Sequence, residues 1–315
     1  MTMLVADIGG TRAKIGVVRD GRVLAQEHID ARSSEGLAPQ LPRIAAVFES
    51  LCAELEVGYE TCDALSIAFP SLVDQGPPTR ILTSYGKFED APQLDLSRWA
   101  RESFGLELLI ENDARMALLG EWQEGAGRNC DSLVMLTLGT GLGTAAIIDG
   151  QLLRGRHGQA GVLGGHMTVR VGGNLCTCGN RGCGEAEAST SVLHSLAARH
   201  VDFHRSALKG IQQIDFAAIL SLARKHDACA LALRAQCIEV WSAVIVNLIH
   251  AYDPERVIVG GGIMAGKSDF FSELQRSVLL NAHAPWGRID IVPSQLGDAA
   301  ALIGGEALFR ERQSD

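Results

Sequence analysis

Two stretches of this chain are written to one plan, and that repetition restricts the fold more than any other feature. The first, MLVADIGGTRAKIGVVRDGRVLAQ, reads as an apolar strand from Leu4 to Ile8 interrupted only by Asp7. A Gly9-Gly10-Thr11 turn, a second strand from Ala13 to Val18 and an Asp20-Gly21 hairpin follow. The second, MLTLGTGLGTAAIIDGQLL, starts at Met135. With Gly9 set against Gly139, Ile8 falls on Leu138, Val17 falls on Ile147, and the two Asp-Gly hairpins agree to within one residue. Self-similarity of this kind means that one supersecondary unit is built twice.

Each copy is strand, Gly/Thr turn, strand. A dinucleotide fingerprint and a P-loop both need a helix after the glycine loop, so Gly139-Thr140-Gly141-Leu142-Gly143 is not read as the former, and the chain contains no Walker A pattern. A Gly/Thr turn can hold phosphate in another way, through backbone N–H groups brought close where side chains are missing and through the hydroxyl of Thr11 or Thr140. An ordinary tight hairpin is the plainer reading of either turn alone; two matched turns weigh against it.

Three of the eight cysteines, Cys176, Cys178 and Cys183, are crowded into a glycine-rich stretch with His166 ten residues upstream of the first. This spacing suits a tetrahedral zinc site with His166 as fourth ligand. Four protein ligands leave no open position, so such a metal is structural and fixes a loop with no core of its own. Disulfides and unliganded thiols are the competing readings; neither a signal peptide nor a cysteine-dense composition supports the former. A loop held in this way would present Glu185, two residues past the last cysteine.

The chain has 315 residues, enough for about two domains. A net charge of −9 argues against a nucleic-acid partner, which needs a basic face. No apolar run reaches membrane-spanning length, the best, Val240 to Ile249, being interrupted by Ser242 and Asn247, and Asp7 within the first strand excludes a signal sequence. A cytoplasmic location without membrane contact is therefore expected.

Between the repeats, periodicity predicts a helix over Leu41 to Leu55, a buried strand over Asp63 to Ala68, a helix over Leu94 to Phe104 and a strand over Glu107 to Ile110. Glu111-Asn112-Asp113 then leads into a helix ended by Gly125 and Gly127. Asn112 or Asp113 suits the N-cap; equally, a carboxylate at a strand end beside a helix start is placed to act as a general base. Nothing local separates the two. After the cysteine loop come helical patterns over Ser191 to His200, Asp215 to Arg224 and Asp227 to Tyr252. A strand, Val257-Ile258-Val259, enters Gly260-Gly261-Gly262, where bare backbone can lie against a flat ligand or simply turn. A helix from Phe270, a strand over Ile289 to Val292 and a helix over Ala299 to Phe309, broken at Gly304-Gly305, complete the chain.

Taken together, DIGGT (Asp7 to Thr11), AFPSLVD (Ala68 to Asp74), ENDAR (Glu111 to Arg115), LGTGLGT (Leu138 to Thr144), His166 with CTCGNRGCGE, and IVGGGI (Ile258 to Ile263) resemble the ROK family (repressor, open reading frame, kinase) of sugar kinases over nearly the whole chain. The resemblance implies an α/β, actin-like, hexokinase-type fold: a duplicated ribonuclease H-like pair of domains with an interdomain cleft. The expected division is 1–114 plus 299–315 against 115–298, the latter with a zinc loop over 166–185. It implies a glucokinase-like, ATP-dependent sugar kinase that phosphorylates a hexose or hexose derivative, at the 6-hydroxyl. Asp113 is then the catalytic base. Asn112, Asp113, His166 and Glu185 hold the sugar. ATP lies against Asp7, Gly9, Gly10, Thr11, Gly139, Thr140, Gly141, Gly261 and Gly262, with Mg2+ near Asp7. His166, Cys176, Cys178 and Cys183 hold structural Zn2+, and His166 can serve zinc with one ring nitrogen and sugar with the other. A homo-oligomer, a dimer first, is expected from the resemblance alone.

Two departures bear on the substrate. Family kinases for glucose-type sugars read Glu-x-Gly-His at the histidine, whereas this chain reads Leu163-Gly164-Gly165-His166. Counting back from His166 puts Leu163 at the place of the Glu, and counting forward from Ala160-Gly161 puts Val162 there. Ser71 also replaces a usual Gly. Two other functions compete: a catalytically silent sugar or nucleotide sensor, and a repressor. The second would carry a DNA-binding domain ahead of the first turn, and only eight residues precede Gly9.

Overall fold

The computed structural model describes residues 1–74, 76, 79–84 and 86–314. Its elements run, in chain order, β1 (Thr2–Ile8), β2 (Arg12–Arg19), β3 (Arg22–Asp30), α1 (Leu41–Leu55), β4 (Ala64–Phe69), β5 (Val73–Asp74), β6 (Arg80–Ile81), α2 (Leu96–Phe104), β7 (Leu108–Asn112) and α3 (Asp113–Glu124). There follow β8 (Leu133–Leu138), β9 (Leu142–Ile148), β10 (Gln151–Leu152), α4 (Gly184–Ala188), α5 (Leu193–Arg199), α6 (Phe216–Arg224), α7 (Ala228–Tyr252), β11 (Arg256–Gly260), α8 (Phe271–Asn281), β12 (Asp290–Pro293) and α9 (Ala300–Ser314). The chain divides into two compact units. The first comprises Met1–Cys130, Leu152–Ala160 and Gln295–Asp315; the second comprises Asp131–Gln151 and Gly161–Ser294. The first unit thus takes in α3 and residues 152–160, which the sequence-based division at 114 assigns to the other domain.

The first sheet has the strand order β3-β2-β1-β4-β7 and the second β10-β9-β8-β11-β12. These are the same order, produced twice by the repeat. In each, a strand is paired antiparallel with the next across the Gly/Thr turn and parallel with a later strand. The Asp-Gly hairpins adopt the left-handed backbone that their sequence invites: Asp20 and Gly21 have φ of 49° and 73°, and Asp149 and Gly150 have φ of 50° and 72°. Register then fixes the functional edge of the first sheet. Asp7 pairs with Ala68, Ala68 with Glu111, and Phe69 with Asn112, so the ends of β1, β4 and β7 lie side by side. In an open sheet with parallel strands, this carboxyl edge is where ligands bind.

The Gly304-Gly305 pair does not break α9, which is continuous. Its glycines are close-approach sites instead. A Cβ on Gly304 would lie 1.8 Å from the Met116 carbonyl oxygen, and one on Gly120 of α3 would lie 2.0 Å from the Ala300 carbonyl oxygen. Small residues on both faces let α3 and α9 pack backbone to backbone, and Gly305 brings α9 onto β1 and β4, where Ser66 Oγ donates to its carbonyl at 3.0 Å. The cost of glycine in a helix, about 1 kcal/mol, is offset by that packing. An aromatic cluster centred on Phe104, with Phe48, Tyr59 and Trp99 at ring distances of 5.1 to 5.6 Å, fills the opposite side of the first sheet's core.

In the second unit, α7 is the central helix. At 25 residues it is, by length and composition, the one helix among the described residues apolar enough to cross a membrane. The expectation that no apolar run reaches spanning length is corrected here: Val240 to Ile249 is only part of the helix, and Ala228 to Leu233 extends the apolar character beyond Arg234 and Glu239. Just over half of that stretch is buried. Trp241 packs between Phe216 and Phe270, at 5.1 and 5.4 Å, and its indole N–H donates to the Ala188 carbonyl.

Candidate active site and metal centre

In the first unit, the strand-end edge gathers Asp7, Asn112 and Asp113. The cap of α3 is Asn112: its Oδ1 accepts from the N–H groups of Ala114 at 3.1 Å and Arg115 at 3.2 Å. Its Nδ2 donates to the Ser71 carbonyl at 3.1 Å, which leaves one amide hydrogen for a ligand. The capping function, ambiguous in the sequence, therefore falls to Asn112. Asp113 also accepts from Ala114 N–H, at 2.8 Å, but its carboxyl is in an unfavourable place for a charge. Burial, and after it the nearby Asp7 carboxylate, push the Asp113 pKa up to about 7, against the opposing pull of the Ala114 N–H and the Lys87 ammonium. Asp7 itself is bonded to Lys14 Nζ at 3.0 Å through Oδ2. Burial works against the Lys14 charge, yet Asp7 and Asp298, the latter at 3.5 Å, hold its pKa above the ordinary lysine value.

Behind this edge lies a buried ion network that the sequence does not announce. Glu111, near the end of β7, and Arg115, in the first turn of α3, are both fully buried and paired at 3.2 Å. Arg154 bonds Glu111 at 2.8 Å and grips Glu311 of α9 with both terminal nitrogens, at 2.9 and 2.6 Å. Arg115 also donates to the carbonyls of Gly158 and Ala160. These bonds hold residues 152–160 against α3 and α9 and fix the strand end that carries Asn112 and Asp113.

The first Gly/Thr turn is closed by Gly9 N–H donating to Arg12 O at 2.9 Å, and Thr11 is exposed at its tip. The second is closed by Gly139 N–H donating to Gly141 O at 3.1 Å, with Thr140 exposed. Gly261 lies directly against the end of β8. Its φ is 92°, and a Cβ there would come within 2.2 Å of the Leu138 carbonyl oxygen. Gly262 has open space where its Cβ would stand. The glycine triplet and the second turn are thus adjacent at the edge of one sheet.

Glu185 opens α4 and reaches this same turn: its Oε2 accepts from Leu142 N–H at 3.0 Å. A Cβ on Gly141 would lie 2.4 Å from that oxygen. Two further bonds, Thr190 N–H to Gly139 O and Ser191 N–H to Thr140 O, tie the segment after α4 to the turn.

His166 ends a short 3-10 turn, Gly164–His166, whose two glycines are needed for contact with β9. A Cβ on Gly165 would strike the Leu142 carbonyl oxygen at 2.0 Å, and Gly164 N–H donates to Thr144 Oγ1 at 2.8 Å. Of the two residues that stand where a carboxylate is expected, Val162 is buried and Leu163 is exposed.

The cysteine loop forms a single centre. One donor atom from each of His166, Cys176, Cys178 and Cys183 falls within 4.8 Å of all the others. Cys176 Sγ lies 3.4 Å from His166 Nδ1, and Cys178 Sγ lies 3.7 Å from Cys183 Sγ. A tetrahedron with zinc–sulfur bonds of about 2.3 Å has sulfur–sulfur edges of about 3.8 Å. All eight cysteines are free thiols, which removes the disulfide reading. Burial and the neighbouring Cys178 push the Cys183 thiol up to about 12. A dication relieves that crowding, since it binds thiolates directly. Gly182, at φ 73°, lets the loop fold back: a Cβ there would be 1.6 Å from the Arg170 carbonyl oxygen.

Sequence reasoning missed three contributors. Lys87 lies over the Gly10 backbone, Ser33 bonds the Gly10 carbonyl at 2.7 Å, and the fully buried Glu187 accepts from Asn174 N–H at 2.6 Å. None has a local motif; each is brought in by tertiary packing.

Comparison with known proteins is consistent with this geometry. A glucokinase of Thermotoga maritima is 30% identical over 99% of this chain and 98% of its own length. A xylose repressor of Caldicellulosiruptor bescii is 27% identical over 90% of this chain and 71% of its own. The crystal structure of a ROK family glucokinase from Streptomyces griseus, in complex with glucose and AMPPNP, superposes with a TM-score of 0.77 at 28% identity, covering 99% of this chain and 100% of that one. The α/β, actin-like, hexokinase-type fold expected from the motifs is the one observed. The ROK family model matches residues 3–312. With both strand-turn-strand repeats, the Asn112-Asp113 strand end and the cluster of His166 with its three cysteines in place, the chain belongs to the ROK family.

Proposed function

We propose that the protein is an ATP-dependent sugar kinase that transfers the γ-phosphoryl group of ATP to a hexose or hexose derivative, at the 6-hydroxyl. The observation that carries this reading is Asp113. Because Asn112 takes the cap, Asp113 is a carboxylate beside Asp7 and Lys87 whose pKa of about 7 suits a general base at neutral pH. The glucokinase relatives and the glucose- and AMPPNP-bound neighbour support the substrate pair.

In this reaction Asp113 takes the proton of the sugar hydroxyl as its oxygen attacks the γ-phosphorus, and ADP leaves with the electrons of the broken bond. Positioning and charge neutralisation carry most of phosphoryl transfer. Asn112 offers its free amide hydrogen to a sugar hydroxyl, and His166 offers the ring nitrogen not turned to Cys176. Glu185 offers the carboxylate oxygen not bonded to Leu142. The Gly/Thr turns and Gly261-Gly262 receive the nucleotide. Mg2+ would supply further neutralisation of the phosphates. Asp7 is suited to lie near it, since Oδ2 alone is engaged, by Lys14. Zn2+ would be held by His166, Cys176, Cys178 and Cys183, with no reactive position left open. Free thiols throughout also support a cytoplasmic location, and a homo-oligomer is part of the same proposal.

A catalytically silent sensor is not favoured, because the proposed base, its cap and both turns are intact. The exposed Leu163 in place of a carboxylate removes one acceptor for a sugar hydroxyl, at a cost of about 1 to 3 kcal/mol where the partner stays buried. Sugar preference is therefore set differently from a kinase that has that Glu. The test is ADP release with Mg-ATP across glucose, mannose, fructose, allose, N-acetylglucosamine and N-acetylmannosamine, with the product assigned by phosphorus NMR. Sugar-dependent ADP and a 6-phosphate support the proposal; a phosphate elsewhere overturns the 6-hydroxyl assignment. ADP release that no sugar stimulates, from folded, metal-loaded protein, overturns the kinase.

A further inference from the structure

The strongest unassigned feature is a lysine that, among the described residues, has no hydrogen-bond or ion-pair partner and lies over the first Gly/Thr turn. The position that a Cβ would take on Gly10 lies 2.5 Å from Lys87 Nζ, 2.6 Å from Cε and 2.8 Å from Cδ. The end of the side chain therefore lies along the bare Gly10 backbone. Among the described residues, Lys87 forms no ion pair and no hydrogen bond.

Its placement is built by the surrounding residues. Ser33 Oγ donates to the Gly10 carbonyl at 2.7 Å, and the Ser33 carbonyl accepts from Phe88 N–H at 2.8 Å, so the residue after Lys87 is tethered to the turn through one serine. Phe88 is buried in a left-handed conformation, φ 52°, with its ring 5.6 Å from that of Phe69. Asp90 bonds the N–H groups of Leu37 and Ala38 at 2.6 and 2.8 Å. A segment anchored in this way places the Lys87 side chain beside the turn, and its charge is felt at Asp113.

We propose that Lys87 is a catalytic residue: its ammonium contacts the γ-phosphoryl group of ATP bound at the Gly9-Gly10-Thr11 turn, both in the bound nucleotide and as charge develops during transfer. This rests on the kinase reading above. The sugar oxygen forms the new bond to phosphorus and its proton passes to Asp113. The bond to the bridging oxygen breaks towards ADP, and the ammonium neutralises the oxygens of the moving group. A cation beside the turn that forms no ion pair among the described residues is ready for an anion, and a phosphate turn beside a carboxylate base is where one arrives.

The test compares Lys87→Met, which keeps the aliphatic stem over Gly10, and Lys87→Arg, which keeps the charge, with the parent. Three quantities are read: kcat, sugar affinity without nucleotide, and Mg-ATP affinity by calorimetry. For Lys87→Met the expected result is a kcat lower by about 10²-fold, the scale of removing one transition-state donor. Mg-ATP binding should weaken by about tenfold, with sugar affinity unchanged and partial recovery of kcat in Lys87→Arg. A kcat within about threefold of the parent overturns the assignment while leaving the kinase standing. If the parent shows no sugar-dependent turnover, the kinase reading fails, and the calorimetry still decides Lys87: weaker Mg-ATP binding in Lys87→Met alone supports the contact, and equal binding overturns it.

Discussion

Glu185 Oε2 accepts a hydrogen bond from Leu142 N–H at 3.0 Å, so the helix that follows the cysteine loop is fastened to the second Gly/Thr turn. Glu185 stands two residues beyond Cys183, and the Cys183 carbonyl accepts from Glu187 N–H at 3.2 Å. The cluster of His166 with its three cysteines, α4 and the turn are therefore linked within one unit, which would give a metal bound there a way to affect binding at a residue that does not touch it.

Metal analysis of the purified protein should find about one zinc per chain, and chelation should lower Tm. Cys183→Ser removes a buried donor and is expected to abolish stoichiometric zinc. Metal content below roughly half an equivalent in the parent, with no change in Tm on chelation, would count against the centre.

Glu187 orders the loop from its interior side. It is fully buried, accepts from Asn174 N–H at 2.6 Å and pairs with Arg170 at 3.4 Å. Glu187→Leu strands the Asn174 N–H, while the half-exposed Arg170 stays solvated, and should cost about 1 to 3 kcal/mol of stability with a faster loss of zinc to a chelator. Unchanged Tm and metal release would show that the loop is held without it.

Packing of α3 on α9 is the third point of test. A Cβ on Gly304 would sit 1.8 Å from the Met116 carbonyl oxygen, so Gly304→Ala should destabilise the fold by about 1 to 3 kcal/mol despite its better helix propensity. A denaturation midpoint equal to or above the parent's would contradict the close approach.

The pH dependence follows from Asp113. Its folded-state pKa is raised to about 7, so the ionised base is depleted below that pH, and kcat/KM should fall about tenfold per pH unit on the acid side. The stability effect has the opposite sense. A carboxyl whose folded pKa is raised favours the folded state most below the unfolded value near 4, and that contribution is lost as pH rises towards 7. Asp113→Asn should therefore gain stability relative to the parent across that range, with the gap level above it. A gap that narrows with rising pH would refute the shift.

What the sequence reveals is what is encoded locally. The two Asp-Gly hairpins, the strand-turn-strand repeat and the clustering of His166, Cys176, Cys178 and Cys183 need only short-range geometry, and each is found in the structure. What it conceals depends on residues far apart. Gly304 and Gly305 look like a helix break until α3 supplies a backbone to pack against. Asn112 and Asp113 are interchangeable as caps on paper, and only the bonds to Ala114 and Arg115 assign the cap to Asn112. Lys87 carries no motif at all; the Ser33 bridge between Gly10 and Phe88 brings it to the turn.

The most direct measurement is the turnover of Asp113→Asn against the parent under saturating Mg-ATP and the preferred sugar, with sugar binding measured in parallel. The account predicts a kcat lower by roughly 10²- to 10⁴-fold with the sugar still bound, because the cap on α3 belongs to Asn112 and the fold does not need the Asp113 charge. Near-normal turnover in a folded Asp113→Asn would contradict it and return Asp113 to the role of a helix-terminal residue.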